Sequence, residues 1–371
     1  MWNKATNHGS AKEERSPSLF QSFVKSLRTA PPRRRLSLAL QGGGSFGAFT
    51  WGVLDSLLER DTVSFDCISG ASAGAVNAVV LADGLARGGP EEARARLEGF
   101  WSKASSAMPS SPFGGKAANG MTYTALDLFL RVFAPEEFNP LGLNPLRDLL
   151  NEEVDFERLR RASPVRLLIA ATRVRDGSVR LFRENELTAD AVLASACLPM
   201  LQSAVEIDGE RYWDGGYSAN PPLRSLVFES RASDVLLVRI TPREDDTLPV
   251  RPQAIARRAS QIAFNAPLEK ELEAVHDLCR LCEGEGMSKS PLARKLRRLR
   301  LHVICAERAI KGLSQENALS LDWQFLLRLK EKGRDATEDW WTQNGITRKG
   351  RSAPASLPTP VDGAAGALLP A

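Results

Sequence analysis

The sequence has few histidines and an odd number of cysteines, which limits the kinds of site it can build. It contains three histidines and five cysteines in 371 residues. An odd set of cysteines at irregular positions argues against the disulfide framework that holds small secreted domains together. Three histidines also leave few candidates for a catalytic base or a metal ligand.

Long apolar segments are missing as well. No uninterrupted apolar run is long enough to cross a bilayer, and no charged start followed by an apolar core suggests a signal peptide. The net charge of +4 gives no reason to expect a nucleic-acid partner, although it is compatible with an anionic membrane surface. We therefore expect a cytoplasmic protein that makes at most peripheral contact with a membrane.

One stretch combines a short apolar strand, a Gly-x-Ser-x-Gly turn and an alanine-rich helix. Residues 65–70 predict the strand and residues 75–82 the helix, with Ser72 at the turn between them. This order is what a nucleophile elbow requires, although a simple tight turn before a packed helix gives the same pattern. A sharp elbow tolerates only small neighbours around the serine, and this sequence supplies Gly70, Ala71, Ala73 and Gly74.

A second glycine-rich loop, at residues 42–47, precedes this elbow. It follows a predicted strand at residues 36–41 and leads into a predicted helix at residues 48–58. Two successive strand–loop–helix units predict a mostly parallel α/β sheet with helices on both faces. Both loops should then lie at the carboxyl edge of adjacent strands, where open α/β sheets place their sites.

The glycine-rich loop admits two interpretations. Its G-x-G-x-x-G spacing matches a dinucleotide fingerprint, but that fingerprint needs an acidic residue at the end of the second strand, where this chain has Ser69. Alternatively, its backbone amides form an oxyanion hole for an ester attacked by Ser72. The proximity of loop and elbow favours the oxyanion hole. The residues of this candidate oxyanion hole are Gly42, Gly43, Gly44, Ser45 and Gly47.

The rest of the chain continues the alternation of strands and helices. We predict strands at residues 165–171, 179–182, 234–240 and 299–305, a hairpin around Asp208-Gly209, and helices at residues 91–103, 123–133, 144–150, 188–198, 251–282, 315–332 and 336–341. The helix at residues 123–133 carries little charge, which suits either core packing or a lipid-facing lid.

A serine nucleophile needs a base, and histidine is the usual one. His8 lies near the start of the chain, His276 in a predicted helix and His302 inside an apolar strand. None of them follows a strand, where a triad base is expected, although the order serine, aspartate, histidine permits a triad. A histidine base for Ser72 therefore stays open at this point.

Asp214 is the other candidate base. It ends the predicted hairpin, and Gly215 and Gly216 leave room for a substrate beside it. An unperturbed aspartate has a pKa of about 4, so it serves as a base only when burial or hydrogen bonding changes its behaviour. A Ser72–Asp214 dyad is chemically workable, and the residues alone leave triad and dyad open.

Histidine and cysteine also recur together near the end of the chain. The residues concerned are His276, Cys279, Cys282, His302 and Cys305. A spacing of three along one helix is more typical of core packing than of structural zinc, which usually draws its ligands from loops. We therefore expect no metal site.

Three motifs occur in the order found in patatin-like phospholipases: GGGSFG at residues 42–47, GASAG at residues 70–74 and DGG at residues 214–216. The chain resembles that family over about residues 36–345, with further similarity at residues 195–199, 207–209 and 220–222. The resemblance implies a patatin-like three-layer α/β/α domain at residues 36–345. We expect disordered tails at residues 1–35 and 346–371, which are rich in polar residues, proline and glycine.

The resemblance also implies an activity. It points to a phospholipase A or lysophospholipase with Ser72 as nucleophile, Asp214 as base, and oxyanion amides around Gly43 and Gly44. Neither histidine nor a metal or other cofactor is needed in that mechanism. Many members carry a basic residue where this chain has Phe46, so a head-group role for that residue does not carry over.

Three other functions remain as alternatives to phospholipid hydrolysis. The chain could be a carboxylesterase or thioesterase for esters other than phospholipids. A non-catalytic lipid-surface scaffold would also fit the fold, although both Ser72 and Asp214 are retained. A nucleotide-binding oxidoreductase would require the dinucleotide interpretation of the glycine-rich loop.

Overall fold

The computed structural model describes residues 34–107, 144–199, 201–244, 248–283, 290–311 and 320–343. Most of the expected N-terminal tail, the expected C-terminal tail and the predicted helix at residues 123–133 lie outside the described residues. No helix within the described ranges is long and apolar enough to cross a membrane.

Eight strands form one mixed sheet in the order β5-β6-β3-β2-β1-β7-β8, with β4 pairing β3. Strands β3, β2, β1, β7 and β8 are parallel, whereas β4 and the β5–β6 hairpin are antiparallel. The strands are β1 Arg34–Leu40, β2 Val63–Gly70, β3 Arg166–Arg173, β4 Val179–Arg183, β5 Val205–Ile207, β6 Glu210–Asp214, β7 Asp234–Arg239 and β8 Arg300–Cys305. The predicted mostly parallel sheet is confirmed.

Helices cover both faces of this sheet. They are α1 Gly47–Leu58, α2 Ala73–Gly88, α3 Pro90–Ala107, α4 Pro145–Glu153, α5 Phe156–Ala162, α6 Ala189–Ser195, α7 Leu223–Glu229, α8 Pro252–Glu283, α9 Pro291–Leu296, α10 Glu307–Ile310 and α11 Trp323–Gln343. Short 3₁₀ turns span Gly44–Phe46, Glu184–Glu186 and Gly215–Tyr217. Helix α5, which the sequence analysis missed, begins after Asp155, whose side chain accepts from the Arg158 amide.

The central strand β1 shows how the two faces are built. Leu38 and Leu40 are fully buried in the cluster formed with α1, α2, α3 and α11. Ala39, between them, packs into a second cluster formed with α7, α8 and α9. Because successive residues of a strand point to opposite faces, this alternation places β1 inside a three-layer α/β/α fold. Leu40 pairs with Gly70 of β2, so the loops that follow both strands emerge side by side.

The last helix corrects one prediction. The sequence predicts two helices, at residues 315–332 and 336–341, whereas α11 runs without interruption from Trp323 to Gln343. Gly333 does not break the helix, because it lies where α11 crosses α1, and an added Cβ there would come within 2.1 Å of the Phe49 carbonyl oxygen. A Cβ added to Gly52 of α1 would likewise lie 1.9 Å from the Lys330 carbonyl oxygen. Glycine here permits two backbones to touch.

Candidate active site

Ser72 lies at the sharp turn between β2 and α2. It has φ 52° and ψ −126°, a backbone conformation that residues other than glycine rarely adopt. The turn lies at the carboxyl end of β2, and Ser72 is only 8% exposed. A strained, left-handed serine between a strand and a helix is the geometry of a nucleophile elbow.

The small residues around Ser72 are required by close backbone packing. A Cβ on Gly70 would lie 2.6 Å from the Gly74 carbonyl carbon and oxygen, and one on Gly74 would lie 2.1 Å from the Leu40 carbonyl oxygen. Ala73 likewise packs against Gly47, where an added Cβ would lie 2.7 Å from the Ala73 Cβ. The elbow therefore fits tightly against the end of β1 and the first glycine-rich loop.

The backbone of Ser72 is held by a residue that the sequence analysis did not single out individually. The Ser72 amide donates to both the carbonyl oxygen and the Oγ of Ser195, each at 3.0 Å. Ser195 is the last residue of α6 and is fully buried. The similarity at residues 195–199 is the signal in the sequence that marked this position.

Asp214 ends β6 and is fully buried. Its Oδ1 accepts from the Gly216 amide at 2.7 Å, and its own amide donates to the Cys197 carbonyl oxygen at 2.8 Å. The Asp214 carbonyl oxygen accepts from Thr172 Oγ1 at 2.8 Å. A Cβ on Gly215 would lie 2.1 Å from the Ala170 carbonyl oxygen, so the turn after Asp214 is pressed onto β3. The carboxyl group is thus fixed in orientation.

The environment of Asp214 changes its acidity. Burial raises the pKa of Asp214 to about 7, although the Gly216 amide and the Ser72 hydroxyl favour the charged form and limit the rise. The second oxygen, Oδ2, is buried and makes no hydrogen bond of regular geometry with any described residue. This carboxyl group therefore changes protonation state near neutral pH, with the Ser72 hydroxyl close enough to influence it. Such a pKa suits a general base.

The structure distinguishes four of the five candidate oxyanion residues by the partners of their backbone amides. The Gly42 amide already donates to Asn220 Oδ1 at 2.7 Å, and the Gly47 amide donates to the carbonyl oxygens of Gly44 and Ser45. Within the part of the chain that the structure describes, the amides of Gly43 and Gly44 donate to no protein acceptor. These two amides are therefore available to a substrate oxygen.

A buried polar network that the sequence analysis missed anchors this loop. Gln41 Oε1 accepts from the amides of Ile240 and Thr241 at 2.8 and 2.9 Å, and Gln41 Nε2 donates to Asn265 Oδ1 at 3.2 Å. Asn220 Nδ2 donates to the carbonyl oxygen of Phe264 at 3.4 Å. The glycine-rich loop is thereby tied to the end of β7 and to α8, so its amides are held before any substrate arrives.

The described histidines lie away from Ser72. His302 Nε2 lies 2.9 Å from Asp234 Oδ1, and Asp234 pairs with Leu36 of β1, four residues before the end of that strand. His302 lies on the edge strand β8, three strands away from β2. Neighbouring strands are about 4.8 Å apart, so His302 is about 14 Å across the sheet from the strand that leads to Ser72. His276 follows the site residue Asn265 by eleven positions of α8, or about 16 Å along the axis. His8 lies outside the described residues.

The histidines and cysteines that were considered as zinc ligands are dispersed. Cys282 packs in the apolar cluster beneath α8, while Cys279 Sγ approaches the Leu296 carbonyl oxygen at 3.8 Å. His302 is engaged by Asp234, and Cys305 is exposed at the carboxyl end of β8. Among the described residues, no three histidine, cysteine or carboxylate side chains are grouped to hold a metal ion.

Comparison with known proteins adds a family assignment. The family model described as patatin-like phospholipase matches residues 38–227, which is more than half of the 371 residues and includes both glycine-rich loops and Asp214. A solved structure, VipD from Legionella pneumophila, is similar with 17% sequence identity and a TM-score of 0.40, covering 84% of this chain and 67% of that one. No curated protein matches the sequence significantly.

Proposed function

Because the chain belongs to the patatin-like phospholipase family, whose members are generally lipid acyl hydrolases, we propose that it hydrolyses phospholipid acyl esters through a Ser72–Asp214 dyad. The observation that carries this proposal is the Asp214 carboxyl group. It is fully buried beside the Ser72 hydroxyl, and its pKa is raised to about 7. A serine at an elbow with a neighbouring base of near-neutral pKa is equipped for acyl transfer.

The proposed reaction has two stages. Asp214 takes the proton from Ser72 Oγ as that oxygen attacks the ester carbonyl carbon. The tetrahedral intermediate collapses, Asp214 returns the proton to the leaving alcohol, and an acyl group remains on Ser72. Asp214 then deprotonates a water molecule that attacks the acyl-enzyme, which releases a fatty acid and regenerates the serine.

The amides of Gly43 and Gly44 would stabilise the oxyanion in both stages. Their freedom from protein acceptors among the described residues, and the anchoring of the loop through Gln41 and Asn220, support this role. Fixed donors aimed at a developing charge need no rearrangement during the reaction, and one such donor is worth about 3 kcal/mol. The N-terminus of α2, which begins directly after Ser72, adds a favourable dipole.

The residue at position 46 bears on which lipid head groups the site could bind. Phe46 is buried and its ring meets Phe325 of α11 edge-to-face, with centroids 6.4 Å apart. This side chain supplies packing between the glycine-rich loop and the last helix, and no charge for a head group. We propose phospholipid as the substrate class, with cleavage of the phospholipase A or lysophospholipase type.

We further propose that the catalytic domain spans residues 36–345, beyond the matched segment. Strands β7 and β8 lie after residue 227 and continue the same sheet as β1. Helix α8 contributes Asn265 to the network behind the glycine-rich loop. A unit ending at residue 227 would leave β1 with an unpaired edge and the loop without these contacts.

Fatty-acid release from phosphatidylcholine tests the proposal. The protein, Ser72→Ala and Asp214→Asn would each be incubated with phosphatidylcholine vesicles and with lysophosphatidylcholine, and products would be measured by mass spectrometry. We expect release by the wild type and a loss of at least 1,000-fold in both variants, as for removal of a nucleophile or its base. Release that persists in Ser72→Ala, or a wild type inactive on every ester, would contradict the proposal.

A further inference from the structure

One short segment at the carboxyl end of α6 holds the backbones of both residues of the proposed dyad. The Ser72 amide donates to the Ser195 carbonyl oxygen at 3.0 Å, and the Asp214 amide donates to the Cys197 carbonyl oxygen at 2.8 Å. The last carbonyl groups of a helix have no partner inside that helix, so the end of α6 has an acceptor to offer. We define the bridge as residues 195–197.

The bridge is short, and its support lies in the core. Two steps along the chain span at most about 7 Å, so the bridge ties the backbones of Ser72 and Asp214 to two points close together. At the start of α6, the Thr188 side chain accepts from the Ala191 amide at 3.2 Å. Residues 191–194 of the helix are buried in the larger apolar cluster. The bridge therefore holds the serine and the aspartate against the core of the domain.

The Ser195 side chain supplies a second acceptor for the same amide. Ser195 Oγ lies 3.0 Å from the Ser72 nitrogen, so the Ser72 N–H is shared between two oxygens of one residue. Ser195 is fully buried, and its hydroxyl makes no other hydrogen bond with a described residue. Holding the Ser72 amide is therefore the one polar contact that this side chain makes in the part of the chain that the structure describes.

The Ser72 amide needs such a contact because its backbone is strained. A residue with a side chain at φ 52° and ψ −126° pays a conformational penalty, and it keeps that conformation only where its surroundings enforce it. Two acceptors on one N–H fix the peptide plane before Ser72, and with it the direction in which Ser72 Oγ points. Displacing a reacting atom by about 1 Å can cost about 100-fold in rate.

We propose that Ser195 is a positioning residue for the candidate nucleophile. Its hydroxyl holds Ser72 in the conformation from which Oγ attacks the ester, and the bridge sets the separation between the serine and Asp214. Ser195 acts only through the Ser72 backbone and exchanges no proton during the reaction. This inference rests on the proposed function, because it takes Ser72 as the nucleophile and Asp214 as its base.

Kinetics of Ser195→Ala on a soluble p-nitrophenyl ester test this role, together with the rate at which a fluorophosphonate probe labels Ser72. The probe reacts with an activated serine and needs no lipid, and Ser72→Ala gives its background. Ser195→Cys is the second variant, because a thiol fills the space of the hydroxyl but is a weak acceptor. It separates the loss of the acceptor from the loss of volume, and it serves if Ser195→Ala does not fold.

Ser37→Ala is the matched control. Ser37 is also fully buried, and its Oγ makes one hydrogen bond, to Ser230 Oγ at 2.7 Å. It lies on β1 three residues before Leu40, which places it about 10 Å along the strand from the edge of the sheet where the site lies. This substitution removes a buried serine hydroxyl without touching the elbow.

We expect Ser195→Ala and Ser195→Cys to lower kcat about 10- to 100-fold with KM within about twofold of the wild type, and to slow the labelling of Ser72 by a similar factor. Ser37→Ala should keep both rates, although its Tm falls as that of Ser195→Ala does. A Ser195→Ala protein with the kcat and labelling rate of Ser37→Ala would overturn the proposal. So would a Ser195→Cys protein with wild-type rates, since the hydroxyl would then only fill space.

Phospholipid hydrolysis separates this inference from the proposed function. Labelling of Ser72 that is slowed in Ser195→Ala, in a protein that releases no fatty acid from any phospholipid, would refute the proposed substrate and leave the positioning role standing. Phospholipid hydrolysis that requires Ser72 but is the same in Ser195→Ala and Ser37→Ala would refute the positioning role alone.

Discussion

The Gly42 amide donates to Asn220 Oδ1 at 2.7 Å, and this contact fixes the glycine-rich loop beside the elbow. An added Cβ on Gly42 would lie 2.7 Å from the Ser72 Cβ, so the two loops touch at this point. Asn220 is fully buried, and its amide nitrogen reaches the Phe264 carbonyl oxygen of α8. One side chain therefore links three parts of the site: the glycine-rich loop, the segment after Asp214 and α8.

Asn220→Ala should reduce ester hydrolysis without unfolding the protein. Loss of the acceptor leaves the Gly42 amide unpaired and frees the loop to shift, which misplaces the amides of Gly43 and Gly44. We expect kcat to fall about 10- to 100-fold with a smaller change in KM, because the oxyanion contacts act mainly in the transition state. Steady-state kinetics on a soluble ester measures the change.

Asn144→Ala provides the matched control for that substitution. Asn144 also accepts backbone amides, those of Leu146 and Arg147, but it caps α4 away from the glycine-rich loop. This variant should lose about 1 kcal/mol of stability and keep its kcat. An Asn220→Ala enzyme as active as Asn144→Ala would show that the loop holds its position without Asn220.

Short motifs in the sequence were sufficient to predict the sharp turn at Ser72, because its geometry imposes local size limits. A Cβ added to Gly70 or Gly74 would lie within 2.6 Å of a neighbouring backbone atom. Such contacts restrict these positions to small residues, which form a recognisable pattern in the sequence. The supports behind the loop leave no such pattern. Gln41 and Asn265 are 224 positions apart, and a single buried glutamine has no spacing that predicts its partner.

The pH dependence of catalysis should follow Asp214. Burial raises the pKa of this carboxyl group to about 7, and the group must be deprotonated to accept the Ser72 proton. The value of kcat/KM should therefore rise with pH and level off above an inflection near 7. A profile on a soluble ester between pH 5 and pH 9 measures this, and an inflection near pH 4 would mean that Asp214 is not the group that titrates.

The same shift predicts a pH-dependent stability. The folded pKa of Asp214 lies above its ordinary value of 3.8, so the folded state holds a proton that the unfolded state has released. The resulting stabilisation is complete below about pH 3.8 and is lost as the pH rises through about 7. Asp214→Asn lacks this loss, so the Tm of the wild type relative to this variant should fall between pH 5 and pH 8. A relative Tm that rises over this range would contradict the raised pKa.

The crossing of α1 and α11 should not tolerate alanine. Gly333→Ala places a Cβ 2.1 Å from the Phe49 carbonyl oxygen and forces the helices apart, which we expect to cost about 3 kcal/mol of unfolding free energy. Gly99→Ala in α3 is the control, because its nearest neighbour would be 4.0 Å away. That variant should gain about 0.5 to 1 kcal/mol. Urea unfolding measures both, and equal effects would refute the close crossing.

Gly333 also shows why the sequence misplaced a helix boundary. A glycine within a helical pattern predicts an interruption when only its low helix propensity is considered. Here the need for backbone contact with α1 outweighs that propensity, and the contact joins residues 284 positions apart. Hydrophobic periodicity gives no information on such a contact, whereas it did locate β1, β2 and α1 correctly.

The central claim is that Asp214, and not a histidine, activates Ser72. His302 is buried against Asp234, and hydrogen bonds from His302, Arg34 and Arg300 outweigh burial and hold the pKa of Asp234 well below its usual range. His302 therefore belongs to a structural ion-pair cluster around Asp234, at the β7–β8 side of the sheet.

Hydrolysis of a soluble p-nitrophenyl ester by the wild type, Ser72→Ala, Asp214→Asn and His302→Ala tests that claim most directly. The account predicts that the first two variants lose at least 1,000-fold in kcat/KM, whereas folded His302→Ala keeps activity within a few-fold of the wild type. A His302→Ala protein that is folded but inactive, or an Asp214→Asn protein that retains full activity, would contradict it.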